Sequence, residues 1–458
     1  MNRYGQSNID HRFVHTRRED NAGEWYALDN AAIIMPAVTD DISTSLFRLE
    51  AELDEPIEAE TLKKALALTV KRMPYFNVML RRGFFWYYFE PCKTMPLILL
   101  DLRFPCQGWN INIRGTRMFR ILCEQNRISG EFSHALTDGT GGIAFFKSLL
   151  ANYLILKGVD PGVQLGEGEW RDIIVFSGDM SASAKSEEFE DAYQRYFPNG
   201  LPFPDLRPHA FHLSKTCLPK GQYRVISGKL LASEAIAEAH RRNVSLTELI
   251  SAVYLDALQH IWHTTKPHPR EPYVSLEIPI NLRQLFPSCT FRNFSLFVLI
   301  SEDMRLGMRD FDELVSRTHY QMKLEYDRMS IARHLCRNAG SARNLAVRLV
   351  PLRVKDFFAK VFFSKFGESM LSGFISNIGQ LKMPPAFASH IVSFGFIPAP
   401  SMATMTNASM LSWNNDLVIN FGSLAQSRDL EKLFFRRLRS LGLHVDVSCR
   451  SDNELQGY

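Results

Sequence analysis

The chain has 458 residues, of which 46% are hydrophobic and 22% are charged, and its formal net charge is +4. This length exceeds what one hydrophobic core usually serves, and the composition excludes a disordered chain, so we expect two folded lobes. No apolar run approaches the ~20 residues that cross a bilayer, and the amino terminus is polar, which predicts a cytoplasmic or peripheral protein.

The cysteine and histidine patterns argue against disulfides and metals. The seven cysteines are odd in number and contain no Cys-x-x-Cys pair, which indicates reduced thiols. Two His-x-x-His pairs occur, His209 with His212 and His260 with His263, but neither has a cysteine pair at zinc-finger spacing. We therefore predict no metal site, and the sequence contains no nucleic-acid-binding motif.

The first third of the chain predicts strands around one long helix. Residues 1–25 are polar and predict a loose arm. Alternating polar and apolar residues at 44–53 predict a half-buried strand, and a helix with an apolar stripe from Leu62 to Met73 follows and ends at Pro74. Four further strands are expected in two hairpins: residues 76–80 with 84–89, and residues 117–124 with 127–135.

The last of these strands leads into the motif Ser133-His134-Ala-Leu-Thr-Asp138-Gly139. Apolar residues then recur at helical spacing, so His134 is expected where a strand gives way to a loop. Such loops often present reactive side chains, and a neutral imidazole accepts a proton at neutral pH. We predict that His134 is a general base, with a structural histidine as the alternative. Gly139 fits a turn that needs a positive φ angle or a close approach of another backbone.

In this context, His134-x-x-x-Asp138-Gly139 resembles the His-His-x-x-x-Asp-Gly signature of the acyltransferase superfamily that contains chloramphenicol acetyltransferase, condensation domains and alcohol acetyltransferases. The second histidine of the signature falls on His134, and Ser133 replaces the first. Because the second histidine carries the chemistry in that family, Ser133 weakens a peptide-condensation function more than an acyltransferase function. The resemblance implies a two-lobed α/β fold, with mixed sheets flanked by helices and an active site in a tunnel between the lobes. It also implies that Asp138 organises the site through an arginine.

The regular pattern lapses at about residues 158–222, where five prolines interrupt the later part. We therefore divide the chain into an N-terminal lobe of residues 1–175, a linker of residues 176–222 and a C-terminal lobe of residues 223–458. The second lobe is expected to begin with a strand at residues 223–231 and a helix capped by Ser233. The next helix begins at the capping box Ser245-Leu-Thr-Glu248.

Two segments of the second lobe carry candidate site residues. A strand at residues 273–281 ends before Arg283, which by resemblance holds Asp138; a surface arginine is the alternative. Residues 373–379 predict a strand that breaks into a turn and resemble the Ser-Asn-x-Gly element near the family's tunnel. Asn377 is therefore the candidate donor to an oxyanion, with Ser376 behind it.

A basic region with a Phe-rich helix lies between these segments. Nine basic residues are accompanied by only one acidic residue, Asp356, and they predict either a solvated face or a site for an anionic partner such as a cofactor phosphate. These residues are Arg328, Arg333, Arg337, Arg343, Arg348, Arg353, Lys355, Lys360 and Lys365. One helical face holds Phe357, Phe358, Val361, Phe362 and Phe366. We predict that this face packs in the core, and a membrane-surface helix is the less favoured alternative.

The remaining elements are a helix at residues 310–329 that begins at Asp310, a hairpin at residues 408–422 that turns at Asn414-Asn415, and a last helix that ends at Gly442. The Asp-Phe-Gly-Trp-Gly element of plant members of the superfamily is absent.

The residues and the resemblance together predict an alcohol acyltransferase. An acyl group, expected to be acetyl, moves from an acyl-CoA cosubstrate to an alcohol acceptor, with His134 as base, no covalent acyl-enzyme and no permanently bound cofactor. An external acyl carrier protein is an alternative donor. An amide-forming enzyme and a catalytically idle homologue that binds a carrier or another protein are alternative functions, and the latter is kept open by Ser133 and by the absent Asp-Phe-Gly-Trp-Gly element. We expect a monomer.

Overall fold

The computed structural model describes residues 25–101, 104–176, 184–196, 209–265, 271–327, 331, 349–366 and 368–450. The strands are β1 (Tyr26–Ala27), β2 (Leu46–Leu53), β3 (Val78–Arg82), β4 (Tyr87–Pro91), β5 (Ile98–Leu100), β6 (Phe119–Glu124), β7 (Arg127–Ser133), β8 (Arg224–Leu231), β9 (Tyr273–Asn281), β10 (Ser295–Asp303), β11 (Gly373–Leu381), β12 (Ile391–Ile397), β13 (Thr406–Trp413), β14 (Asp416–Ser423) and β15 (Asp446–Arg450). The helices are α1 (Met35–Val38), α2 (Ala59–Arg72), α3 (Gly139–Leu156), α4 (Ala192–Tyr196), α5 (Ala232–Arg241), α6 (Leu246–Thr265), α7 (Phe311–Glu325), α8 (Leu352–Phe366), α9 (Pro385–Ala388) and α10 (Asp429–Ser440).

Two large mixed sheets organise these elements, which confirms the predicted α/β class. The N-terminal lobe contains a five-stranded sheet in the order β12-β2-β7-β6-β5, and the C-terminal lobe contains a seven-stranded sheet in the order β10-β9-β11-β13-β14-β8-β15. A small sheet, β1-β4-β3, lies beside the first. Each lobe has its own large apolar core, as expected for a chain of this length.

Helix α3 forms the centre of the N-terminal core. It packs against α2, and its residues Phe145 and Leu149 are fully buried in the same cluster as Phe132 of β7. By length and composition α3 could cross a membrane, but 78% of it is buried inside the protein. Its apolar character is therefore that of a core helix, and it fixes the position of the motif that precedes it.

Strand β12 joins the two lobes and was not predicted from the sequence. It belongs to the second half of the chain, yet it pairs antiparallel with β2 and so extends the N-terminal sheet. The indole N–H of Trp413 on β13 donates to the Ile391 carbonyl of β12 at 3.2 Å. The two large sheets therefore contact each other where β12 packs against β13.

The segment that was predicted to be a linker contacts both lobes. Glu188 accepts two hydrogen bonds from Arg72 of α2, at 2.9 and 2.7 Å, and its carbonyl accepts one from the Phe291 N–H at 2.7 Å. The Tyr193 hydroxyl of α4 donates to the Ser295 carbonyl at 2.5 Å. The described part of this segment is therefore ordered and packs against both lobes.

Two of the predicted helix starts in the second lobe have different outcomes. The capping box at α6 is confirmed, because the Ser245 N–H donates to Glu248 at 2.7 Å and the Glu248 N–H donates to Ser245 at 3.3 Å. The predicted Ser233 cap is wrong, because α5 begins at Ala232 and Leu231 is its N-cap. The Ser233 hydroxyl instead accepts a hydrogen bond from the Asn415 amide at 3.1 Å, in the turn between β13 and β14.

The Phe-rich helix forms as α8, but the prediction that its apolar face is core is wrong. Phe357 is 64% exposed and Phe358 is 62% exposed. The start of α8 is fastened to the loop between β3 and β4 rather than to a large sheet, because the Leu352 N–H and the Lys355 ammonium donate to the carbonyls of Phe84 and Phe85, both at 2.9 Å.

Part of the exposed surface of α8 faces a large open cavity, since Phe358 and Val361 line it. The side chains of Phe362 and Phe366, like the basic residues at positions 328–348, lie outside the described part of the structure. Of the basic residues in the described part, Arg353 and Lys360 are exposed, while Lys355 is half-buried in its contact with Phe85.

Candidate active site

The motif turn, residues 133–142, connects β7 to α3 and is held by the chain on both sides of it. The His134 N–H donates to the Ser45 carbonyl at 2.9 Å, and the His134 carbonyl accepts from the Asn293 amide at 3.0 Å. Ser133, which replaces the first histidine of the signature, is fully buried, and its hydroxyl accepts from the Ala135 N–H at 3.2 Å. Ser133 therefore stabilises the turn.

The His134 ring lies at the wall of the cavity, half-buried against an aromatic side chain. Its centroid is 4.8 Å from that of Phe47. Burial lowers the pKa of His134 to about 4, against the opposing effects of the Asp138 charge and a hydrogen bond with the Thr137 backbone. The imidazole is therefore neutral at pH 7 and can accept a proton.

Asp138 is fully engaged by groups other than His134. It is the N-cap of α3, where one carboxylate oxygen accepts from the Gly141 N–H at 3.1 Å. The other oxygen accepts from the Phe294 N–H and from Arg283 Nη1, both at 2.8 Å. This arrangement fixes the start of α3 to the second lobe and leaves no oxygen of Asp138 without a partner.

Arg283 crosses from the C-terminal lobe to reach Asp138. Its guanidinium also donates to the carbonyls of Thr290, at 2.9 Å, and Arg292, at 2.5 Å. Both members of the Asp138–Arg283 pair are largely buried, with side-chain exposures of 7% and 11%. The structure thus brings together two of the residues singled out in the sequence and joins the lobes through them.

Gly139 does not have the role expected for it. It is not among the residues with positive φ, and a Cβ built on it would have no atom within 4 Å. Gly141 is the glycine that the packing requires, because its Cβ would lie 1.9 Å from the Phe291 carbonyl oxygen. Gly139 instead lines the cavity, so the absence of a side chain there keeps space open near His134.

Asn377 and Ser376 lie on β11 and line the same cavity as His134. The Asn377 amide donates to the Thr247 hydroxyl at 2.9 Å, and its carbonyl oxygen accepts from the Gly379 N–H at 2.8 Å. Since a primary amide carries two N–H donors, one further donor of Asn377 is available by count. Ser376 pairs in register with Ser409 of β13.

Sequence reasoning missed the support beneath the motif turn, which comes from Asn293 and Asp29. The Asn293 amide donates to Asp29 at 3.0 Å as well as to the His134 carbonyl, and Arg292 lies 3.6 Å from Asp29. Burial raises the pKa of Asp29 to about 6 despite the opposing charge of Arg292. The only signal in the sequence was the closeness of Asn293 to Arg283 along the chain.

The cavity has a volume of about 3420 Å³ and is lined by both lobes. A pocket for one small molecule usually encloses roughly 300–1,000 Å³, so this space can hold two substrates, one of them extended. Its wall includes His134 and Gly139 from the first lobe and Arg283, Ser376 and Asn377 from the second. The candidate residues therefore face one shared space between the lobes.

No protein-family model matches the sequence, and a search of curated proteins found no match either. Solved structures do match it along most of its length. The chain has the two-lobed condensation-domain fold, to which chloramphenicol acetyltransferase-like proteins also belong, so the predicted fold is confirmed.

Three of these structures illustrate the likeness. Polyketide synthase associated protein 5 from Mycobacterium tuberculosis is 13% identical, with a TM-score of 0.58, over 92% of this chain and 98% of that one. The starter condensation domain of rhizomide synthetase, in complex with C8-CoA, is 14% identical, with a TM-score of 0.56, over 91% and 95%. The TRI101 protein of F. sporotrichioides, complexed with coenzyme A and T-2, is 9% identical, with a TM-score of 0.60, over 93% and 100%.

Proposed function

We propose that this protein is an acyltransferase that moves an acyl group from an acyl-CoA thioester to an alcohol. The observation that carries the proposal is the His134 imidazole, which faces the cavity between the lobes in its neutral form. Its backbone is fixed on both sides, while its organising neighbour Asp138 is committed to Arg283. A positioned neutral base beside a large cavity is what a direct acyl transfer needs.

The chemistry follows from these groups. His134 takes the proton of the acceptor hydroxyl as its oxygen attacks the thioester carbonyl carbon, and the carbonyl oxygen becomes negative. When this tetrahedral intermediate collapses, the carbon–sulfur bond breaks, and the proton passes from His134 to the departing thiolate. No bond forms between the acyl group and the protein. A positioned base contributes about 10² to 10⁴ in rate.

The amide of Asn377 is the proposed donor to the oxyanion. Such a donor contributes about 10² to 10³ in rate when it is aimed at the position where the charge develops. Its carbonyl side is held by Gly379 and one N–H by Thr247, so the amide group is fixed in orientation. Ser376, the neighbouring residue on the cavity wall, is the second candidate.

Acyl-CoA is the proposed donor, and two proteins of the same fold support it, since they were crystallised with C8-CoA and with coenzyme A. Four further properties stay predictions: the acyl group is acetyl, the acceptor carries a hydroxyl, and the enzyme is monomeric and cytoplasmic. Membrane association stays the less favoured alternative. The idle-homologue alternative is disfavoured because His134 lines the cavity.

The experiment that tests the proposal is thiol release by the purified full chain. We expect release of coenzyme A thiol with at least one pair from a panel of acyl-CoA donors and alcohols, with the ester identified by mass spectrometry. His134→Ala should reduce turnover by at least about 10², the scale of one base, with unchanged folding. His444→Ala is the matched control, because His444 is a surface histidine with 86% side-chain exposure. Retention of more than about a tenth of the activity by His134→Ala would contradict the assignment.

A further inference from the structure

One carboxyl group on the cavity wall has no role in the mechanism above. Glu277 lies in the middle of β9, whose neighbouring residues Leu276 and Ile278 are 0% and 1% exposed and point into the C-terminal core. Because side chains alternate along a strand, Glu277 points to the opposite face, and there it lines the cavity. The strand therefore presents a carboxyl to the substrate space.

The immediate surroundings of Glu277 are apolar. Its register partners are Leu299 on β10 and Phe374 on β11, and both of these also line the cavity. Phe297, two residues from Leu299 on the same face of β10, lines it as well. The two neighbouring strands supply no positive charge at this position, and no ion pair to Glu277 occurs within the described part of the chain.

Three other carboxylates on the same cavity wall have partners within the protein. Glu188 accepts from Arg72 and Tyr75, Asp172 pairs with Lys147 at 2.7 Å, and Glu248 accepts from the Ser245 N–H. For Glu277, the described residues provide neither a hydrogen bond nor an ion pair. Burial alone raises the pKa of Glu277, to about 7. A half-buried carboxyl without a partner costs stability, and such a cost is commonly kept where a ligand supplies the missing partner.

We propose that Glu277 is a recognition residue that binds an ammonium group of the acceptor, which makes the acceptor an amino alcohol. This inference rests on the acyl transfer proposed above and names the substrate class of the same cavity. An ammonium supplies both the charge and the hydrogen-bond donors that the carboxyl lacks, in surroundings where apolar walls strengthen the pairing. A neutral alkanol would leave the carboxyl unpaired.

The position of Glu277 separates the ammonium from the reacting hydroxyl. Glu277 lies opposite Phe374 of β11, and Phe374 is three residues before the candidate oxyanion donor Asn377 on that strand. On β9 itself, Glu277 is four residues before Asn281, whose side chain accepts from Arg283. At about 3.3 Å per residue, these separations correspond to roughly 10 and 13 Å along the strands. The amine is therefore expected at the opposite end of the acceptor from the hydroxyl.

The test compares amino alcohols of graded chain length with alkanols of the same length, using whichever acyl-CoA is turned over. The wild type should prefer amino alcohols. Glu277→Gln, which keeps the side-chain size and removes the charge, should reduce the ratio of kcat/KM for amino alcohol over alkanol by about ten- to a hundredfold, mainly through KM. Glu60→Gln, at a carboxylate with 80% side-chain exposure, is the matched control and should keep the ratio.

An unchanged ratio in Glu277→Gln with normal folding would overturn the inference, and so would an equal loss for both acceptor types. If no acceptor is turned over with any donor, acyl transfer itself has failed, and calorimetry with the amino alcohols still tests Glu277. Binding to the wild type that weakens about tenfold or more in Glu277→Gln would then support the recognition site, and equal or absent binding would reject it.

Discussion

The motif turn and the Phe-rich helix α8 differ in how many distant parts of the chain hold them. The turn donates a hydrogen bond to the Ser45 carbonyl and accepts hydrogen bonds from Arg283, Asn293 and Phe294, so residues of both lobes hold it. Helix α8 is hydrogen-bonded to the β3–β4 loop near its start, and its residues Phe357 and Phe358 are exposed. A sequence pattern therefore determines where a segment packs only when several distant parts of the chain contact that segment.

The largest effect should come from breaking the contact between the motif turn and the second lobe. Asp138→Ala removes one member of a buried ion pair and the carboxylate that accepts from two backbone N–H groups, so we expect a loss of about 3 to 5 kcal/mol in the free energy of unfolding, together with lower activity. Urea denaturation measures this. Glu124→Ala, which removes a surface pair of 46% and 31% side-chain exposure, should cost about 1 kcal/mol or less. The architectural role of Asp138 would be contradicted if Asp138→Ala unfolds like the wild type and Arg283→Ala is fully active.

The second effect depends on pH and on His134. Burial holds the pKa of this imidazole at about 4, below its ordinary 6.5. Below pH 6.5 the unfolded chain binds a proton there, whereas the folded protein does not do so until about pH 4. The free energy of unfolding should therefore fall as pH drops through this range, by up to about 3 kcal/mol from this group.

Unfolding midpoints at pH 7, 6 and 5 measure this contribution. His134→Ala should lose part of the decline seen in the wild type, whereas His444→Ala, at a surface histidine, should keep it. Identical pH profiles for the wild type and His134→Ala would show that the ring is solvated in the folded state and that its pKa is ordinary.

A third effect separates two glycines of the motif turn. A methyl group on Gly141 meets the Phe291 carbonyl, so Gly141→Ala should destabilise the fold by about 1–3 kcal/mol. Gly139→Ala has open space and a helical position, and it should be neutral or more stable by up to about 1 kcal/mol. Thermal unfolding of the two variants measures the difference. Equal melting temperatures would mean that Gly141 does not fix the distance between the lobes.

Much of the fold could be predicted because its signals are local. Alternation predicted β2, the turn pair Asn414-Asn415 predicted the β13–β14 hairpin, and the capping box predicted the start of α6. The position of His134 at the end of a strand followed in the same way. Strand β12 could not be found so simply, because its partner is β2, more than 300 residues earlier, and no local pattern records a long-range pairing.

The candidate site was predictable only as far as the motif and the resemblance extend. The Asp138–Arg283 contact was implied by family likeness, and no spacing in the sequence encodes it. Asn293 beneath the turn and Glu277 on the cavity wall acquire their positions from the pairing of β9 with β10 and from the approach of the lobes. For α8, periodicity showed which face is apolar but not what covers it.

The smallest effect on stability should come from a substitution in α8, the helix compared above with the motif turn. Phe357 is 64% exposed, so Phe357→Ala should change the free energy of unfolding by no more than about 0.5 kcal/mol, the usual range for a surface substitution. Phe145→Ala is the matched variant in α3, where the ring is 0% exposed, and it should cost about 3–5 kcal/mol. Urea denaturation of the two variants decides the matter. If Phe357→Ala costs as much as Phe145→Ala, then α8 is covered in solution and its apolar face is core after all.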